Sequence, residues 1–396
     1  MTGLHDVSSH GATPRAPRRW WRHAGYAPLS VLAAASVAAL LLGMTTTAQQ
    51  NRHTVPAVTA APTGTAKECR PPVAAPAAQP WLSGGASAEQ TWQQHSAELA
   101  KPYLVGSNGW TFWSDYIEQY ASQAVGRDTL SQAQLDAWAS YHKSIRDNLA
   151  AQGIEFYIEI TPSTSSVYPE QLPTWMQSLR GSTILDQYLS VAGDLPVIDL
   201  RQNLIAAKTP DTHLFSWSNS HWTGYGGYVG WKQIASCVNA MHPSDKPLQV
   251  PAITGTRVIG DFNEWASFGV PSPGQDWSVP TFAHPLQDVT YTDNNQQTKT
   301  VPGDTDMDAG WLPLHTSVPN SWTGKSALII RDSMGNALSP YWDQAYSPTV
   351  QVSHLYNSYS VWPNYRQLVD EYHPKVVIVQ IAERHLINAP PPGAGY

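Results

Sequence analysis

The chain has 396 residues, of which 42% are hydrophobic and only 13% charged, with a formal net charge of −7. That length suits one large domain or two ordinary ones and is ample to bury a core. The first fifty residues hold four Arg against one Asp, so the acidic balance belongs to the rest of the chain. An acidic body without a basic stripe argues against nucleic acid as a partner.

Residues 1–25 read as a cytoplasmic basic segment carrying Arg15, Arg18, Arg19 and Arg22. They precede an uncharged run, 26–44, rich in Ala, Leu and Val. It is close to the ~20 residues that a membrane-spanning helix needs, and basic flanks stay cytoplasmic. Two readings stay open: a signal peptide cleaved near Thr46-Thr47-Ala48, or a retained anchor. The long segment before the apolar run favours the anchor. Either way the bulk of the chain is exported, and the expectation is a periplasmic domain held to the inner membrane by its N-terminal helix. Residues 45–85, dense in Ala, Pro and Thr, read as a linker with too little apolar surface to fold. Cys69 lies in it, and the only other cysteine is Cys237. In an oxidising compartment such a pair is expected to be bridged, and two distant cysteines are too few for a metal site. Neither a metal nor a cofactor is expected.

Residues 86–396 alternate helix and strand. Ser131 with Gln134 forms the pattern of a capping box. Behind it Leu135, Trp138, His142, Ile145 and Leu149 recur at helical spacing up to a stop at Gly153. Strands are expected at 154–160, 197–200, 327–330 and 376–381. Apolar strands between amphipathic helices indicate a mostly parallel α/β sheet covered on both faces. Residues 242–323, rich in Pro, Asp, Thr and Asn, read as an insertion of loops and short strands on that core.

Three segments carry candidate chemistry. Arg331-Asp332-Ser333-Met334-Gly335-Asn336 follows an apolar strand directly, where α/β sheets bind ligands. Ser333 there is either a nucleophile at a strand-to-helix turn or part of a simple Asp-Ser helix cap. In Asn219-Ser220-His221-Trp222-Thr223-Gly224, His221 precedes glycines and a helix reaching about Val238. It suits a general base, or a structural histidine. The third, Ser166-Val167-Tyr168-Pro169-Glu170-Gln171-Leu172-Pro173, is by itself a proline-bounded loop.

In order, these segments resemble the alginate O-acetyltransferase AlgJ/AlgX family of SGNH-hydrolase-like proteins, over about residues 100–386. The family's Gly-x-x-Gly-Trp-x-Phe start is matched by Gly106, Gly109, Trp110 and Phe112, and its Val-Tyr-Pro-Glu-x-Leu-Pro segment by 167–173. Its Asp-x-His-Trp-Thr motif is matched from His221 onward, its Gly-Asp-Leu element by Gly260-Asp261-Phe262, and its Gly-Asp-Ser-Phe turn by 331–334. The resemblance implies an SGNH-type, flavodoxin-like fold. It also implies an O-acetyltransferase in which Ser333 is the nucleophile, His221 the base, and an exopolysaccharide hydroxyl the acceptor. A membrane-bound O-acyltransferase would be the acetyl-supplying partner.

The orienting acid falls on Asn219, a departure from the pattern. In a serine protease the Asp-to-Asn change there costs about 10⁴ in kcat. An asparagine carbonyl can still accept the histidine N–H, so slow turnover is expected, with Asn219→Asp raising it. Asp211 and His213 repeat the spacing without the Trp-Thr continuation and read as coincidence. Two further departures are Ser163-Thr164 where the family commonly has lysine, and Arg331 at the first glycine of the serine turn. Two alternatives remain: a catalytically weak polysaccharide-binding scaffold, and a carbohydrate acetylesterase in which water takes the acetyl group. Trp110, Trp113, Trp217, Trp222 and Trp362 are candidates for stacking on sugar rings.

Overall fold

The structure, a computed structural model, describes residues 67–74, 79–81, 85–272, 274–354 and 362–396. The expected basic segment 1–25 and membrane helix 26–44 lie outside the described residues. Among the described residues no helix is long and apolar enough to cross a membrane.

Numbering helices of eight or more residues, α1 (Ala86–Gln94) leads into a small hairpin of β1 (Tyr103–Val105) and β2 (Thr111–Trp113). Helix α2 (Gln132–Ala150) opens at a true capping box. Gln134 N–H donates to Ser131 Oγ at 3.3 Å, and Gln134 Oε1 accepts from Ser131 N–H at 2.9 Å. Then come β3 (Glu155–Thr161), α3 (Ile184–Val191), β4 (Val197–Asp199) and α4 (Gly224–Met241). Five short strands follow: β5 (Ile253–Val258), β6 (Ser278–Phe282), β7 (Val289–Thr292), β8 (Thr298–Val301) and β9 (Leu314–Ser317). The chain closes with β10 (Ala327–Arg331), β11 (Thr349–Ser353), α5 (Tyr365–Tyr372) and β12 (Val376–Ala382).

The main sheet has the order β4-β3-β12-β10-β11-β9-β7-β8, and its first five strands are parallel. Every residue of β10 and β12 is buried, because the pleat feeds two cores. Leu328, Ile330, Val377 and Val379 pack with Trp138, Ile145 and Leu149 of α2. Ile329, Val376 and Ile378 pack on the other face with Trp231 and Ile234 of α4. At roughly 1.5–3 kcal/mol for each fully buried large apolar side chain, these two layers supply most of the drive to fold. Strand β11 escapes sequence reading because its Thr349 and Gln351 look like surface residues. Both are fully buried and hydrogen-bonded to Asp343 Oδ1, at 3.3 and 3.1 Å.

The stretch 242–323 is more than an insertion on the core. Strands β5 and β6 do form a separate ribbon, but β9, β7 and β8 continue the main sheet antiparallel beyond β11. Their signal is weak because the outermost strand, Thr298–Val301, is almost wholly exposed and carries no apolar face. The C-terminal end of the 45–85 segment also belongs to the fold. Cys69 is bridged to Cys237 of α4, with Cα atoms 4.6 Å apart. Trp81 Nε1–H donates to Leu179 O at 2.7 Å.

Candidate active site

Strand β10 ends at Arg331, whose guanidinium is fully buried and donates to Gln351 Oε1, Asn336 Oδ1 and Met307 O at 2.7–2.8 Å. Its place next to Gly335 is tight: a Cβ on that glycine would lie 2.5 Å from Arg331 Cδ. Asp332 follows in an extended conformation and caps the turn, its Oδ1 accepting Met334 N–H at 2.9 Å. Its Oδ2 accepts Ala382 N–H at 2.7 Å and meets His385 Nδ1 at 2.8 Å, which ties the turn to the end of β12. Burial alone would raise this carboxyl, but His385, Arg384 and the Ala382 amide hold it well below the usual carboxylate range. The cap and the nucleophile readings of this segment are therefore compatible: Asp332 caps, and Ser333 opens a 3₁₀ turn, Ser333–Leu338. As the first residue of that turn, Ser333 has an N–H with no acceptor inside the turn.

The His221 loop is folded against the same turn. Phe215 bridges Trp222, Thr223 N–H donates to Leu214 O at 2.9 Å, and Thr223 caps α4 through Gly226 N–H at 3.2 Å. Trp222 Nε1–H donates to Met334 O at 2.7 Å, joining the two loops directly. Gly227 lets α4 approach: a Cβ there would sit 2.3 Å from Ala337 O. The outcome is that His221 Nε2 lies 2.8 Å from Ser333 Oγ across 112 residues of sequence.

Asn219 stands where an orienting acid would. Its Oδ1 is 2.8 Å from His221 Nδ1 and accepts His221 N–H at 3.0 Å, while its Nδ2–H₂ donates to Phe262 O at 2.7 Å. The Phe262 carbonyl dictates which way the amide faces. The carbonyl end of Asn219 then requires a proton on Nδ1, leaving Nε2 to accept from Ser333. This bears on the expected gain from Asn219→Asp, since a carboxylate oxygen would face a carbonyl at the Phe262 contact. The His221 pKa is lowered, first by burial and next by Arg384, with Glu264 and Asp332 opposing. The imidazole is thus neutral near pH 7, as a base should be. Glu264 reaches the loop itself, accepting Ser220 N–H at 2.7 Å and Trp113 Nε1–H at 3.2 Å.

Ser333 and His221 open into a cleft of about 430 Å³ walled by Phe262, Trp277, Asp304, Asp306 and Tyr341. Of the five tryptophans singled out from sequence, Trp222 alone lines it, and its indole is committed to Met334. Trp277, set 4.9 Å from Phe262, is the aromatic wall that sequence reading missed, because it lies in the weakly periodic 242–323 stretch. His213 packs on Trp217 at 4.9 Å, Asp211 is exposed, and neither lines the cleft. The glycine-tryptophan start and the 167–173 segment are scaffolding. Trp110 lies 4.6 Å from Tyr168, and Thr111 N–H donates to Trp217 O at 2.8 Å, buttressing the His221 loop. Ser163 N–H donates to the buried Glu383 at 2.8 Å, so the position where lysine is common serves structure here.

Comparison with known proteins bears on the fold and the family. Residues 104–307 match the family model described as SGNH hydrolase-like domain, acetyltransferase AlgX; Ser333 lies beyond the matched span. A curated relative, the probable alginate O-acetylase AlgJ of Pseudomonas fluorescens, is 27% identical over 137 residues. That match spans 34% of this chain and 33% of the relative. Among solved structures, Bacillus cereus PatB1 with a sulfonyl adduct superposes with a TM-score of 0.50 at 16% identity, covering 64% of this chain and 90% of that one. A DHHW family protein from Eubacterium siraeum gives 0.50 at 13% identity, covering 71% and 90%. These two likenesses show a shared fold, and the family model gives it as SGNH hydrolase-like. With its family model matched across more than half its length, the chain belongs to the SGNH hydrolase-like acetyltransferase AlgX family.

Proposed function

We propose that this chain is an exported O-acetyltransferase that moves acetyl groups onto an exopolysaccharide through an acetyl-Ser333 intermediate. The observation that carries the reading is the 2.8 Å contact of Ser333 Oγ with His221 Nε2, at the mouth of a cleft of sugar-residue size. His221 Nε2 takes the Ser333 proton as Oγ attacks the acetyl carbonyl carbon. The proton passes to the departing donor group, leaving the ester on Ser333. A sugar hydroxyl then attacks that ester while His221 takes its proton, and the proton returns to Ser333 Oγ as the acetylated sugar leaves. The unshared N–H of Ser333 is a donor for the oxyanion in both steps. Asn219 holds the ring in the tautomer that both steps need.

The domain organisation belongs to the same proposal: cytoplasmic segment 1–25, membrane helix 26–44, linker, and a periplasmic catalytic domain reached from a membrane-bound O-acyltransferase. An exported enzyme has no access to cytosolic acetyl-CoA, so this reading requires a membrane partner of that kind. The test uses 4-nitrophenyl acetate. Wild type should release nitrophenol and gain the mass of one acetyl group on Ser333. Ser333→Ala should lose about 10³-fold or more of the rate and gain no mass. Equal rates for the two proteins would replace this reading with the binding scaffold. Acetyl-Ser333 that is discharged only to water in the presence of saccharide would make the chain an esterase.

A further inference from the structure

The segment Gly303-Asp304-Thr305-Asp306-Met307-Asp308, between β8 and β9, lends its three aspartates to the lining of the cleft. Met307 is the fixed point of this loop. Its side chain is fully buried, its N–H donates to Ser339 Oγ at 2.8 Å, and its O accepts from the buried Arg331 at 2.7 Å. Asp304, Asp306 and Asp308 all line the cleft, so an anchor inside the core holds three carboxyl groups in the space that Ser333 also lines.

The balancing charge is small. Arg257 is the cation in the lining, and it is half exposed and 3.9 Å from Asp304. Arg331 lies behind the wall, and its donors are already taken by Gln351, Asn336 and Met307. His221 is neutral, and Asn219 contributes no charge. Asp306 is pushed up to about 7, first by burial and next by Asp304, against the pull of Arg331, so near neutral pH it carries only part of a charge and the repulsion rests mainly on Asp304 and Asp308. A carboxylate brought into this space meets the exposed side chains of Asp304 and Asp308, a repulsion that salt screens. A sugar without a carboxylate meets something different. Its hydroxyls are donors for the aspartate oxygens, and Trp277 and Phe262 offer apolar faces to the ring.

Resting on the acetyl-transfer reading, we propose that the acceptor is a glycan of neutral, hydroxyl-bearing sugars, and that Asp304, Asp306 and Asp308 discriminate against polyuronates. The binding selectivity is separable from the chemistry. It is read with Ser333→Ala protein by calorimetry against a neutral mannopentaose and an oligomannuronate of the same length, at low and high salt. The neutral oligomer should bind. The uronate should bind at least about tenfold more weakly at low salt, with the gap narrowing at high salt. In the Asp304→Asn/Asp306→Asn/Asp308→Asn variant the gap should close. Asp304→Asn alone, at an exposed position, should narrow it in a protein whose thermal unfolding verifies the fold. Uronate binding as tight as the neutral oligomer, binding of neither, or an unchanged preference in both variants would overturn the proposal. Failure of the acetyl-transfer reading shows separately, as absence of acetyl-Ser333 in the wild type.

Discussion

Two histidine pairs flank Ser333, and they differ in the partner each histidine has. His221 faces the neutral amide of Asn219 on a loop and touches the serine hydroxyl. His385 faces the carboxylate of Asp332, which is fully buried and also accepts the N–H groups of Met334 and Ala382. The formal charge beside the serine therefore holds the turn, and the neutral amide orients the ring that touches the serine hydroxyl. Charged hydrogen bonds are the stronger and the costlier to break, so they suit the part that must not move. An amide gives one acceptor and one anchored donor, which fixes direction without shifting the histidine toward its protonated form.

The largest effect expected from disturbing this arrangement is at the structural pair. Asp332→Asn removes the carboxylate at His385 Nδ1, leaving Glu118 Oε1 3.4 Å from Nε2, and should cost about 3–5 kcal/mol of stability at pH 7, read from urea unfolding. Because the folded carboxyl sits below its unfolded value, its contribution is present above the ordinary carboxylate range near ~3.9 and is lost as pH falls further. The gap between wild type and variant should accordingly shrink below about pH 4; a gap that stays constant there would show that the charge is not what holds the turn.

At the reacting pair the expected change is smaller and reverses the expectation drawn from sequence. Asn219→Asp exchanges the Nδ2–H₂ donor for an oxygen opposite Phe262 O, at a contact now 2.7 Å long. At this exposed contact the change loses one hydrogen bond, about 0.5–1.5 kcal/mol, so acetyl release should fall by up to roughly tenfold at neutral pH, with a lower melting temperature. A variant faster than wild type would mean that the missing charge outweighs the lost tether.

The smallest effect sharpens the contrast by asking where the His221 loop finds negative charge. Glu264 holds Ser220 N–H and is the first of the groups that raise the His221 pKa. Glu264→Gln should reduce kcat several-fold and move the acid limb of the pH–rate profile lower, since imidazolium loses support and neutral imidazole gains. Loss of rate with an unmoved limb would assign Glu264 a purely structural part.

The contrast between the two pairs also explains which features are legible in the sequence. Helix α2, β3, β10 and β12 are legible because burial on both strand faces and a capped helical stripe are local patterns of side chain and spacing. Ser333 and His221 stand out because each follows a turn with a short signature. The division of labour between Asn219 and Asp332 is not legible, since it depends on Phe262 O and His385, 43 and 53 residues away. Trp277 and the 304–308 wall escape for a related reason. Trp277 adjoins the short β5–β6 ribbon, which has no apolar stripe to mark it, and the 304–308 wall is held by Arg331, separated from it by chain turns that no local pattern records.

Periodicity and caps therefore determine the α/β class and the main parallel strands, because each of these depends on neighbours within one helical turn or one strand, while Ser333 and His221 enter as site candidates through the family resemblance that the order of five short motifs carries. The 2.8 Å approach of His221 to Ser333, the direction in which Asn219 faces, the extension of the sheet by β9, β7 and β8, and the acidic wall of the cleft were decided only by tertiary packing. Hydrogen bonds and electrostatic fields act through space, over a few ångströms, between groups that the chain itself holds tens to hundreds of residues apart.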